Sequence, residues 1–135
     1  MKRTVQIVLG CATILILCTT VMAQKRRQSS AWGVPEVFSS LSYGVESGDI
    51  GGIEVILLPG NSENHAWGVV VIAEGTPGTP QLVEVQVKGA RIEFTLTGQE
   101  GAYNGKFKGT ISPAGLTLWW PSGEKFGLLK RQRSS

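Results

Sequence analysis

The chain has 135 residues, of which 41% are hydrophobic, 17% are charged and 18 are glycine. This composition is too apolar for intrinsic disorder and too rich in glycine for a mainly helical protein, and the length allows one domain. Two cysteines and a single histidine are too few for a dense disulfide framework or a zinc site built on histidines.

Residues 1–23 have the layout of a secretory signal. Residues 1–3 are cationic, residues 5–18 are uncharged and strongly apolar, and Ala23 is a small residue at the predicted cleavage point. We therefore expect export to the periplasm or the extracellular space. The alternative is an uncleaved membrane anchor, because residues 5–23 approach the roughly 20 residues that a spanning helix needs. Both cysteines, Cys11 and Cys18, lie in this segment.

Basic residues cluster at the two ends of the chain. The net charge is +3, yet between Gln28 and Leu129 five basic residues stand against all 10 acidic ones. A nucleic-acid-binding domain is expected to carry a basic stripe on its folded surface. We therefore expect no nucleic-acid partner.

Residues 24–41 are predicted to form a loosely ordered lead-in, because they are polar apart from isolated apolar residues such as Trp32 and Phe38. A β-meander domain is predicted over residues 42–131, followed by a basic tail end at 132–135. Its first strand is residues 53–58, preceded by a glycine-rich bend at 48–52. Residues 67–73 form a second strand with little alternation, which predicts burial on both faces.

The clearest strand signals are residues 83–88 and 92–97, where every second residue is apolar. This period of two places Val83, Val85 and Val87 on one face and Glu84 and Gln86 on the other. Gly89 lies between the two strands and suits the positive φ angle of a tight hairpin.

Three further strands are predicted at residues 103–111, 116–120 and 125–129. Gly105 and Gly109 share the inward parity of Phe107, which leaves room for a bulky neighbour. The adjacent Trp119 and Trp120 must point to opposite faces, and parity with Leu116 and Leu118 places Trp120 inside and Trp119 outside.

The fold class is therefore all-β. About seven short strands joined by tight turns form an antiparallel meander, which is expected to curl into a small barrel or half-barrel. A two-sheet sandwich is the alternative fold.

Three stretches resemble small lipocalin-like meander domains of secreted bacterial proteins. They are residues 48–55 (GDIGGIEV), 105–112 (GKFKGTIS) and 128–131 (LLKR). The resemblance covers residues 45–131 and implies a β-meander fold; members occur alone or before serine-hydrolase domains. Ile50 departs from it, since an aromatic residue often stands beside the opening Gly-Asp.

We expect a non-catalytic exported domain that contacts a protein or glycan through Trp119. The alternative is a domain that holds a small apolar ligand inside the barrel. The candidate lining residues for that ligand are Trp67, Val69, Val85, Phe94, Phe107 and Trp120.

Catalytic and metal chemistry find little support in the sequence. Ser62, His65 and Asp49 supply the atoms of a nucleophile, base and orienting group, but no nucleophile turn surrounds Ser62. Glu63 and His65 would leave a metal incompletely coordinated. We therefore expect no enzyme activity, no metal and no cofactor.

Overall fold

The computed structural model describes residues 33–98 and 101–132. Within them the chain is all-β apart from one short 3-10 helix at Gly101–Tyr103. The predicted signal segment and Trp32 lie outside the described residues. The strands are β1 (Glu36–Ser39), β2 (Ser42–Tyr43), β3 (Ile50–Ser62), β4 (His65–Pro77), β5 (Gln81–Lys88), β6 (Arg91–Leu96), β7 (Gly105–Ser112), β8 (Gly115–Trp119) and β9 (Lys125–Gln132).

The strands form one closed antiparallel barrel. From β3 to β9 each strand pairs with the next in the chain, and β1 pairs with both β9 and β3. This last pairing closes a barrel of eight strands, which leaves β2 as a short ninth strand on β3. The predicted antiparallel meander curled into a small barrel is confirmed.

Alternating burial in β5 and β6 confirms the period-two prediction. Val83, Val85 and Val87 are buried, whereas Glu84 and Gln86 are exposed. The two strands are joined at Gly89, which has a φ of 60°. Apolar residues of this hairpin therefore face the barrel interior, and its charged residues form part of the outer surface.

The barrel begins earlier than the sequence indicates. Strand β1 lies within the range assigned to the lead-in, so the predicted boundary at residue 42 is wrong. Phe38 is fully buried in this strand, opposite Val55 of β3 and Arg131 of β9. Four residues are too few to show an alternating pattern, and long-range pairing to two other strands holds them in the sheet.

A close approach of two backbones explains the glycines at the start of β3. Strands β1 and β2 keep the same register against β3, and Ser40 between them exchanges hydrogen bonds with Ile53. Gly52 has a φ of 120°, and a Cβ atom there would lie 2.6 Å from the carbonyl oxygen of Ser40. Only glycine permits this approach.

Candidate functional site

Apolar side chains fill the barrel interior. Phe94 of β6 and Phe107 of β7 lie directly opposite each other, and their rings stack with centroids 5.4 Å apart. Val85 on the neighbouring strand is fully buried, and none of the buried residues described is polar or charged. An eight-stranded barrel is wide enough either to be filled by its own side chains or to hold one small ligand, and here the inward side chains form one packed cluster. These three predicted ligand-lining residues are therefore part of the packed core.

Trp120 closes one end of the barrel. Its ring centroid lies 5.3 Å from that of Tyr103, 5.9 Å from that of Phe107 and 4.9 Å from that of Phe126. The tryptophan is half-buried and packs on the core, which confirms its inward orientation. A fourth predicted lining residue is thus part of an aromatic cap.

Glu74 of strand β4 shapes the environment of Tyr103 in this cap. A hydrogen bond between the side chains of Tyr103 and Glu74 raises the pKa of Tyr103 to about 12, assisted by burial and by the negative charge of Glu74. The phenol therefore stays protonated through the physiological pH range.

An ion pair covers the opposite end of the barrel. Arg131 Nη1 lies 3.0 Å from Glu36 Oε1, and the guanidinium carbon lies 5.3 Å from the ring centroid of Phe38. Arg131 Nη2 also donates to the carbonyl oxygen of Ser112. Arg131, which the sequence groups with the basic end of the chain, is a structural part of the barrel.

Trp67 and Val69 lie on the outer face of β4, so the expectation that they line the interior is wrong. Ala66, Gly68 and Val70 take the inward positions of this strand. A Cβ atom at Gly68 would lie 2.9 Å from Cγ2 of Val85, which shows that β5 side chains occupy this space. Both outer residues are half-buried, so the predicted burial of both faces is only partial.

Gly105 and Gly109 make room for the protein's own side chains. A Cβ atom at Gly109 would lie 2.8 Å from both Ile92 Cγ1 and Leu116 Cδ1, and one at Gly105 would lie 2.9 Å from Pro121 Cβ. The bulky neighbours expected beside these glycines are therefore aliphatic residues and a proline.

Trp119 lies in an open groove on the outer wall. It points away from the core, as predicted, and its neighbour across the β7–β8 pairing is Lys108. The groove has a volume of about 410 Å³ and is also lined by Arg91, Glu93 and Thr110. Two further depressions border Glu93, so the concave surface continues along β5, β6 and β7. We refer to the Trp119-lined depression as the Trp119 groove.

The Trp119 groove is rich in charge. Glu93 forms an ion pair with Lys106 at 3.3 Å, in which both side chains are about half exposed. Arg91 and Lys108 form no ion pair with any described residue. An aromatic side chain beside unpaired cationic side chains can bind a ligand that has both an apolar ring face and an anionic group. The aromatic ring packs on the ring face, and the cations bind the anion. Sequence reasoning identified Trp119 but missed Arg91 and Lys108, whose position depends on strand register.

The candidate catalytic set is only partly brought together: Ser62 and His65 are cross-strand partners in the β3–β4 hairpin, but Asp49 lies at the other end of β3. Asp49 precedes β3 and Ser62 ends it, so the length of a 13-residue strand separates them, roughly 40 Å in extended form. His65 packs edge-on against Trp67, with ring centroids 5.4 Å apart. Among the described residues, no three His, Cys, Asp or Glu side chains group as they would around a metal ion.

A row of aliphatic side chains crosses the outer wall on the other side of the barrel. Val37, Ile56, Val69 and Leu82 are successive cross-strand partners on β1, β3, β4 and β5. Leu82 is 66% exposed, and the other three are half-buried. Sequence reasoning missed this row, because the cross-strand register that aligns its members comes from the fold.

Comparisons with protein-family models, with curated proteins and with solved structures find no match to this chain. The lipocalin-like resemblance therefore stays a prediction. Over residues 33–98 and 101–132 no helix has the length and hydropathy needed to cross a membrane.

Proposed function

We propose that this protein is a non-catalytic, exported interaction domain that binds a glycan or protein partner at the Trp119 groove. The observation that carries the proposal is the contrast between the two surfaces of the barrel. The interior is filled by Phe94, Phe107 and their neighbours, whereas Trp119 lies on the outer wall in an open groove. Tryptophan and tyrosine on the surface are over-represented where proteins meet partners, and Trp119 is half-buried on the outer wall.

Export rests on the predicted signal segment alone, with an uncleaved N-terminal anchor as the alternative. The partner at the groove would meet the protein in the periplasm or outside the cell in either case.

The alternative function, storage of a small apolar ligand inside the barrel, has less support. Ligand pockets in proteins of this kind need several hundred Å³ of enclosed space. Core side chains fill the centre of this barrel, the Trp120 cluster covers one end, and the Glu36–Arg131 pair covers the other. A hydrolase ranks lower still, because Asp49, Ser62 and His65 do not form a constellation.

Trp119→Ala tests the proposed function, with Trp67→Ala as its matched control. Both tryptophans are half-buried on the outer wall, so both variants make the same change at different sites. A panel of polysaccharides and candidate proteins is screened against the immobilised full chain. For ligands found in the screen, we expect Trp119→Ala to weaken binding by about 30-fold, typical of a central tryptophan, with an unchanged melting temperature.

The control should bind these ligands as the wild type does. Wild-type binding by Trp119→Ala, or an equal loss in Trp67→Ala, would place the interaction elsewhere.

A further inference from the structure

The charged residues of the barrel are divided between its two halves. Residues 33–80, which form β1 to β4, contain six acidic residues and no lysine or arginine. Residues 81–132, which form β5 to β9, contain all seven described lysines and arginines and three described acidic residues. The folded part therefore has an acidic half and a basic half, although its net charge is small.

Cross-strand register places bases of the basic half around Trp119. Lys108 of β7 and Lys125 of β9 are the two cross-strand partners of Trp119, and both are exposed. Adjacent strands lie about 4.8 Å apart, so Lys108 lies beside Trp119 and lines the groove with it. Lys125 lies on the strand at the other side, next to a register shift in the β8–β9 pairing, and borders the groove without lining it. Arg91 reaches the same groove from β6.

These three bases are available to a ligand. Arg91, Lys108 and Lys125 form no ion pair with a described residue, whereas Lys106 is engaged by Glu93. Glu93 is also the only acidic residue among those described that line the Trp119 groove. The groove therefore presents an aromatic ring and a net positive charge.

We propose that the Trp119 groove binds an anionic polysaccharide that carries carboxylates, such as a polyuronate. This inference rests on the proposed function and adds the chemical class of its ligand. Trp119 packs on the apolar face of a sugar ring, Arg91 binds a carboxylate through its planar fork, and the two lysines attract neighbouring carboxylates. The open groove continues toward β5 into a depression that is lined by Lys88 and Arg91, which suits a chain that is longer than one sugar.

The arrangement of charge argues against an anionic membrane as the ligand. Docking on such a surface needs apolar and basic side chains on the same face. Here the aliphatic row that starts at Val37 crosses mainly the acidic half, and the free bases lie on the other half. The acidic half would repel a polyanion and so confine it to the wall that carries Trp119.

Polygalacturonate and its fully methyl-esterified form are the test ligands, since they share a backbone and differ in charge. Calorimetry with the full chain should show binding of the acid form, weakened by raising the salt from about 0.05 M to about 0.5 M, where exposed charges are largely screened. The ester should bind at least about 10-fold more weakly than the acid.

Lys108→Gln is compared with Lys130→Gln, a change of equal charge at an exposed β9 position that does not line the groove. We expect Lys108→Gln to weaken binding about 2- to 5-fold and Lys130→Gln to leave it nearly unchanged. Glu93→Gln should strengthen binding, because it removes the acidic group of the groove.

If the wild type bound polygalacturonate and its methyl ester equally well, while Trp119→Ala still bound both weakly, the proposal of an anionic ligand would be overturned and the proposed function would stand. If Trp119→Ala bound polygalacturonate as tightly as the wild type does, and Lys108→Gln and Lys130→Gln lost affinity equally, both the anionic ligand and the proposed function would be overturned. Tighter binding of a single-stranded DNA oligonucleotide or of anionic vesicles than of polygalacturonate would also overturn the assignment to a polysaccharide.

Discussion

Replacing Phe107 by alanine tests whether side chains fill the interior of the barrel. Phe107 is 1% exposed, and its ring lies between Phe94, at 5.4 Å, and Trp120, at 5.9 Å. Truncation of such a residue costs about 3–5 kcal/mol, because buried surface is lost and a cavity remains. The stacked pair with Phe94 contributes about 0.5–1.5 kcal/mol of this loss.

The assay is urea unfolding followed by far-UV circular dichroism and by tryptophan fluorescence. A domain of about this size has 5–15 kcal/mol of stability, so the variant should lose a large fraction of it. The melting temperature should fall by at least about 12 °C. Leu128→Ala is the control, since Leu128 is 44% exposed on the outer wall and should change stability by no more than about 0.5 kcal/mol.

A loss below about 1 kcal/mol in Phe107→Ala would refute the packing argument, because a residue beside an open cavity loses few contacts when it is truncated. That result would favour the alternative function, in which a small apolar ligand binds inside the barrel. If the core is packed, small apolar molecules should stabilise Phe107→Ala, which has a new cavity, and should leave the wild type unaffected.

Two further predictions concern the glycines and Tyr103. Gly109→Ala should lower the free energy of unfolding by about 1–3 kcal/mol, since its methyl group would overlap two buried side chains. Urea titration measures this loss. Gly51→Ala is the control and should have little effect, because a Cβ atom there would meet no atom within 4 Å. In an alkaline titration followed by ultraviolet absorbance, Tyr103 should ionise near pH 12 and at lower pH in Glu74→Gln. Because its folded pKa is raised above the ordinary tyrosine value of 10.0, the stability from this phenol is complete below pH 10.0 and is lost as the pH rises through about 12. Equal titration of wild type and Glu74→Gln would contradict the proposed cause.

Local pattern was enough to predict the strands whose inward and outward residues differ in polarity. Over residues 83–88 of β5 and 91–96 of β6, every inward residue is apolar and its neighbour is polar, so the period of two is visible without the fold. The same parity argument placed Trp119 outside and Trp120 inside. These predictions succeeded because the direction of a side chain in a strand depends on its neighbours in the chain.

Parity failed in β4, where both faces carry apolar residues. The orientation of Trp67 depends on Gly68, which faces inward because Val83 and Val85 of another strand occupy the space beside it. No residue of β4 itself contains that information. For the same reason Phe38 was not recognised as a core residue, since its burial depends on β3 and β9.

The all-β class, the antiparallel order and the inward face of the alternating strands could be predicted from the chain alone, because they follow from side-chain period and from short connections. The fold was needed to show that the barrel is closed and its centre filled, and that Arg91, Lys108 and Lys125 lie on strands around Trp119. Closure, packing and cross-strand register join residues far apart in the chain. The candidate binding site is formed by residues that are far apart in the chain and that cross-strand pairing brings together.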